Sequence, residues 1–136
     1  MKPAVVILIA GVNDVYQGKL ASQVIEHLNW MYDRAAGAGI KVVAGTILPY
    51  NTATIEQNAT MREINRWIRR EARSNPRLAF VDTRAAVAAP GNPDKLSESP
   101  DQLHPAAAGY RAMADAIRPV IEQVLRAGGG MVPASH

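Results

Sequence analysis

The sequence predicts an α/β fold in which a parallel sheet is covered by helices on both faces, in the order β-α-β-α-β-α. Three observations predict it. Short apolar, β-branched runs recur along the chain. Amphipathic stretches with helical spacing lie between them, and this alternation implies parallel strands joined by crossovers. The polar residues suited to chemistry collect just after the strands, the edge at which open α/β sheets carry their sites.

The first run, Ala4-Val5-Val6-Ile7-Leu8-Ile9-Ala10, is apolar throughout and reads as a strand covered on both faces. It is at the short limit for a signal-peptide core, and Gly11-Val12-Asn13-Asp14 follows it where a small-x-small cleavage site would stand. Over residues 19–36, Leu20, Val24, Leu28, Met31 and Ala35 recur at helical spacing. Gly37-Ala38-Gly39 stops that helix.

Residues 40–48 form a second apolar strand, interrupted by Gly45 and ended by Pro49. Thr54 and Gln57 have the spacing of a capping box. The helix they open presents Met61, Ile64, Ile68 and Ala72 and ends before Asn75-Pro76. Leu78-Ala79-Phe80-Val81 is a short third strand with Asp82 at its end. Residues 83–104, rich in proline, are expected to be a long loop. The last helix is expected to start at Pro105, to present Tyr110, Met113, Ile117, Ile121, Val124 and Leu125, and to kink or change register at Pro119. One domain over residues 1–127 and a flexible tail over 128–136 follow from these limits.

Composition narrows the function. The chain has 136 residues, 48% of them hydrophobic, which suits a single folded unit with a modest core. Fifteen basic residues are scattered and only 5% of residues are aromatic, so neither the basic face nor the stacking platform of a nucleic-acid binder is expected. The absence of cysteine excludes disulfides, thiolate catalysis and Cys-ligated metal. Three scattered histidines, His27, His104 and His136, make no metal site, and no cofactor is expected. No apolar run approaches the roughly 20 residues that cross a bilayer. A soluble, cytoplasmic protein is the expectation, with the compartment itself unassigned.

Two clusters carry candidate chemistry: Gly11-Val12-Asn13-Asp14 after the first strand, and Asp101-Gln102-Leu103-His104-Pro105, followed by Gly109-Tyr110, before the last helix. On these residues the chain resembles the SGNH (GDSL-type) ester hydrolases, which have a G-x-N-D block after one strand and a D-x-x-H block before the last helix. The stretch from His104 through Ala114, and the region from Asn65 to Ile68 ahead of the strand that ends at Asp82, are similar to that family as well.

The resemblance implies a three-layer α/β/α, flavodoxin-like sheet, truncated at its N-terminus. It also implies ester hydrolysis of a small-molecule substrate, with Asn13 as oxyanion donor, His104 as general base and then acid, and Asp101 as its partner. As turn chemistry alone, Asn13 would be a loop residue, His104 a cap before Pro105, and Asp101 a loop residue. Asp14 is expected to order its loop by backbone hydrogen bonds, His27 to be a solvated surface residue, and Trp30 and Trp67 to pack helices.

The family's Gly-Asp-Ser block and the Gly block after it have no counterpart here. Of Ser22, Ser74, Ser97, Ser99 and Ser135, Ser97 and Ser99 lie nearest His104 in sequence and are the possible nucleophiles. His104 acting directly on water, and a site without activity, are the alternatives. The strand Ala4-Val5-Val6-Ile7-Leu8-Ile9-Ala10 would lack its family neighbour, so a homo-oligomer paired through that edge is expected. A non-catalytic fragment or interaction module is the second reading of the whole chain. A flavodoxin-like ligand binder is the third, weakened because no Gly-rich phosphate loop follows the first strand.

Overall fold

In the computed structural model, which describes residues 3–129, the chain runs β1 (Val5–Leu8), α1 (Val12–Tyr16), α2 (Ala21–Gly37), β2 (Lys41–Gly45), α3 (Ile55–Ser74), β3 (Leu78–Val81), α4 (Thr83–Val87), β4 (Ala88–Ala89), β5 (Asn92–Leu96) and α5 (Ala107–Gly129). The three expected strands form one parallel sheet in the order β1-β2-β3. Val6 sits opposite Val42, and Val42 opposite Leu78.

The period-2 alternation of β2 divides the core into two layers. Val42 and Ala44 point to one face, where they meet Val24 and Leu28 of α2 and Met61, Ile64 and Ile68 of α3. Val43 points to the other, with Val81, and with Met113 and Ile117 of α5. Met61, Ile64 and Ile68 are fully buried, each contributing about 1.5–3 kcal/mol of apolar transfer energy. The three-layer α/β/α arrangement is therefore present.

Several local expectations differ from what is observed. The first strand is four residues long, because its ladder with β2 runs only from Val5 opposite Lys41 to Leu8 opposite Ala44. The segment expected as a long loop holds α4 and an antiparallel hairpin, β4-β5. A buried arginine explains this. Arg84 on α4 donates to Asn58 Oδ1 (3.1 Å), to Asp94 Oδ1 on β5 (3.0 Å) and to the Ile47 carbonyl (3.4 Å), so the hairpin is fastened to α3 and to the end of β2. Beside it, the Thr46 hydroxyl donates to Asp82 Oδ1 and accepts from the Arg84 amide, while the Thr83 hydroxyl donates to the Thr46 carbonyl.

The capping box at Thr54 and Gln57 forms. Helix α5 is assigned without a break through Pro119 and reaches Gly129, so residues 128 and 129 belong to it. The rest of the expected tail, with His136, lies outside the described residues. Trp67 stacks on Tyr32 in the core, with centroids 5.8 Å apart. Trp30 does not pack helices: it is 60% exposed and lies under the Arg34 guanidinium. Asp14 orders its surroundings through side chains, with Lys19 Nζ at 3.2 Å and the exposed His27 ring at 3.7 Å. Among the described residues, no helix is long and apolar enough to cross a membrane.

Candidate active site

The carboxyl end of the sheet is built from three segments. The first leaves β1 through Gly11, whose φ of +117° suits only glycine. A Cβ there would stand 2.9 Å from both Ile47 Cδ1 and Val24 Cγ1. The chain turns at once into α1, which carries Asn13. Asn13 is exposed, and its side-chain amide makes no hydrogen bond among the described residues. Its main chain is held within α1, with the Asn13 carbonyl accepting from the Gln17 amide. From α3, Gln57 Nε2 reaches the carbonyls of Val15 (3.4 Å) and Tyr16 (3.5 Å).

The second segment precedes α5 and carries the carboxylate and the imidazole. Asp101 Oδ1 accepts from the Leu103 amide (3.0 Å) and the His104 amide (2.8 Å), a tight Asx-type turn. Its other oxygen, Oδ2, stands 2.6 Å from His104 Nδ1. The hydrogen bonds from the His104 ring, and then from the His104 and Leu103 amides, hold the Asp101 carboxyl well below the usual carboxylate range. An ionised acceptor at Nδ1 places the ring proton on that nitrogen and leaves Nε2 with a free lone pair. The side chain is 63% exposed, so Nε2 reaches solvent. After it, buried Pro105 meets Gly109: a Cβ on residue 109 would stand 2.8 Å from Pro105 Cβ, so the glycine lets the first turn of α5 close against the proline.

The third segment, between β2 and α3, touches both of the others. The Tyr50 ring lies 5.6 Å from that of Tyr16. The Asn51 amide donates to the Gln102 carbonyl, and its side chain donates to Gln102 Oε1 (both 2.8 Å). Asn51 Oδ1 accepts from the Leu96 amide (2.8 Å), and the Asn51 carbonyl accepts from Lys95 Nζ. Gln102 needs this support, because its φ of +66° is a left-handed conformation that a non-glycine residue adopts at a cost of about 1–3 kcal/mol. Leu103 packs on the same apolar cluster as Ala10 and Val12. The blocks bearing Asn13 and His104 thus share one end of the sheet and flank one loop.

The two nearby serines are placed differently. Ser99 Oγ lies 2.6 Å from the His104 carbonyl and 3.2 Å from Asp101 Oδ1, where it braces the turn. The Ser97 amide donates to the Val87 carbonyl, and the residue lines a recess with Val87, Pro90 and Gly109. Among the described residues neither hydroxyl is hydrogen-bonded to the imidazole. In the sequence Asn51 is marked only as a polar residue that follows a strand, and Gln102 only as a member of the Asp101–Pro105 cluster, with no role for either. An asparagine directly after a strand is the available signal, but it does not say which segment the side chain will reach. Among the described residues, no group of three or more His, Asp and Glu side chains is placed to hold a metal ion.

A sequence model of the GDSL-like lipase/acylhydrolase family matches residues 1–112. No curated protein matches the chain. Among solved structures, a candidate acylhydrolase from Bacteroides fragilis superposes with a TM-score of 0.80 at 24% identity, over 91% of this chain and 64% of that one. A GDSL-like lipase from Bacteroides thetaiotaomicron gives 0.77 at 24% identity, over 89% and 63%. A carbohydrate esterase of family 3 from Talaromyces cellulolyticus gives 0.71 at 27% identity, over 92% and 60%. The chain therefore spans less than two thirds of the length of these structures.

Proposed function

The chain belongs to the GDSL-like lipase/acylhydrolase family, and on that premise we propose that it hydrolyses short acyl esters with Asp101 and His104 as its acid–base pair. The observation that carries this reading is the 2.6 Å contact between Asp101 Oδ2 and His104 Nδ1, which leaves Nε2 free on an exposed ring. In the mechanism, Nε2 takes the proton of an attacking hydroxyl or water, and Asp101 stabilises the imidazolium. The tetrahedral oxyanion accepts from the Asn13 side-chain amide, a donor with no competing bond among the described residues. The imidazolium then gives its proton to the leaving alcohol as the ester C–O bond breaks; where a side-chain hydroxyl attacked, water, deprotonated by the same Nε2, next attacks the acyl group and releases the acid. A short acyl group fits the similarity to an acetyl esterase solved with an acetate ion (25% identity, TM-score 0.72).

Ser99 and Ser97 remain the candidate nucleophiles within the chain, and Ser99 would have to leave the His104 carbonyl to reach Nε2. The alternative is a hydroxyl brought to the site by a second copy. Strand β1 is an edge: Ile7 is 44% exposed and lines an apolar groove of about 430 Å³ with Tyr110, Met113 and Ile117 of α5. We propose that a second copy pairs along this edge, which would otherwise be an aggregation template. A stable monomer at micromolar concentration in size exclusion with light scattering removes that part.

The catalytic part is tested by p-nitrophenyl acetate hydrolysis in wild type and His104→Ala. Equal rates end the esterase reading. Fluorophosphonate labelling with mass spectrometry locates the nucleophile. Because neither serine hydroxyl bonds the imidazole among the described residues, a non-catalytic interaction module is the second reading, and His104-independent rates support it.

A further inference from the structure

On the far side of α3 from α2, beyond the carboxyl ends of β2 and β3, lies a polar cleft of about 270 Å³ that the proposed esterase chemistry does not use. Four guanidinium groups line it. Arg62, Arg66 and Arg69 follow one another at four- and three-residue steps on one face of α3. Arg84 enters from α4 and is only 7% exposed. Two carboxylates line the same space, Asp82 and Asp94. Four positive charges against two negative ones leave an excess of two.

Three of the four groups are also held in place. Asp94 Oδ1 accepts from Arg62 Nη1 (2.8 Å) and Arg84 Nη2 (3.0 Å), and Arg84 is fixed further by Asn58. Arg69 lies over the Phe80 ring at 4.5 Å, with Asp82 Oδ2 at 3.6 Å. The other oxygen of Asp82, Oδ1, accepts from the Thr46 hydroxyl and the Ala85 amide. Arg66 has no ion-pair partner among the described residues. A guanidinium fork that is already oriented loses little freedom when it meets a planar or tetrahedral oxyanion. The volume is small beside ordinary ligand pockets, which favours a compact group.

From the excess charge, the three fixed guanidinium groups beside Arg66, unpaired among the described residues, and the size, we propose that this cleft binds a compact, doubly charged oxyanion, the phosphate group of a soluble phosphate monoester. It recognises the phosphate through Arg66 and Arg69, with Arg62 and Arg84 as the fixed positive wall. The proposal does not depend on the esterase reading.

The test uses the intact chain and inorganic phosphate as probe. Phosphate is titrated by calorimetry at constant ionic strength, with sodium chloride exchanged for it, and thermal unfolding is followed in parallel. Saturable binding and a matching rise in Tm are expected. Arg66→Ala/Arg69→Ala should weaken binding at least ten-fold. Arg70→Ala/Arg73→Ala removes the same charge from α3 outside the cleft and should change binding less than two-fold. The proposal is overturned if the phosphate response is unsaturable and equal to that of chloride. It is equally overturned if the Arg70/Arg73 variant loses as much affinity as the cleft variant, since that is diffuse charge and not a site.

Discussion

Replacing Asp101 by asparagine separates the two jobs that one carboxylate performs. Oδ1 receives the Leu103 and His104 amides and lies within reach of the Ser99 hydroxyl. An asparagine carbonyl can accept all of these, so the turn should keep its shape. Oδ2 is different. It faces His104 Nδ1 at 2.6 Å, and in Asp101→Asn that position becomes an NH2 donor. Nδ1 must then act as acceptor, the ring proton moves to Nε2, and the nitrogen that should take a proton already has one. The expected loss in kcat is on the order of 10²–10⁴, the range set by an inverted tautomer and a lost counter-charge.

The carboxyl of Asp101 is depressed in the fold, so its contribution to stability is full above the ordinary carboxylate pKa of about 3.9 and is lost as pH falls from there towards the folded value. The difference in stability between wild type and Asp101→Asn should therefore be flat above about pH 5 and shrink below about pH 4. Ester hydrolysis at neutral pH and urea unfolding across this window are the measurements. A kcat within two-fold of wild type, with the variant folded, refutes the tautomer argument.

Three further outcomes are expected. Asn13→Ala should lower kcat by about 10²–10³-fold with unfolding unchanged, since the amide is exposed and unbonded among the described residues, and steady-state rates beside a urea melt check both. Asn51→Ala should destabilise the chain by about 2 kcal/mol, because the buried Leu96 amide loses its acceptor and Gln102 loses a donor, and amide exchange should quicken at Leu96 and Gln102. Arg84→Met should cost about 3 kcal/mol in urea unfolding, because Asn58 Oδ1 loses its donor in a buried setting and Asp94 loses one of its two guanidinium partners.

The parts of the fold that were legible in the sequence are those governed by long periodic patterns. The Thr54–Gln57 box and the spacing of Met61, Ile64 and Ile68 mark a helix that matches the structure closely, and the apolar run over 40–48 marks β2, which pairs only over Lys41–Gly45. Helix α1 escaped because five residues are too few for a period to show. The α4 and β4-β5 region escaped for a different reason. Its order comes from Arg84, a charged residue that pattern reading places at the surface, and from a partner ten positions away at Asp94. At the site, the D-x-x-H spacing pointed to a carboxylate and a ring that do meet. Nearness in sequence did not reveal that the Ser99 hydroxyl turns to a main-chain oxygen, because a side chain's direction depends on its rotamer and partners.

Gln57 has a consequence for motion. Its amide oxygen caps the start of α3 at Thr54 while its nitrogen reaches the last carbonyls of α1. One turn of helix cannot sustain itself in water, so α1 inherits its rigidity from the twenty-residue helix beside it. Fraying at the first turn of α3 would be transmitted directly to the amide at position 13. A shorter side chain at position 57 would then blur the site without touching any reacting group.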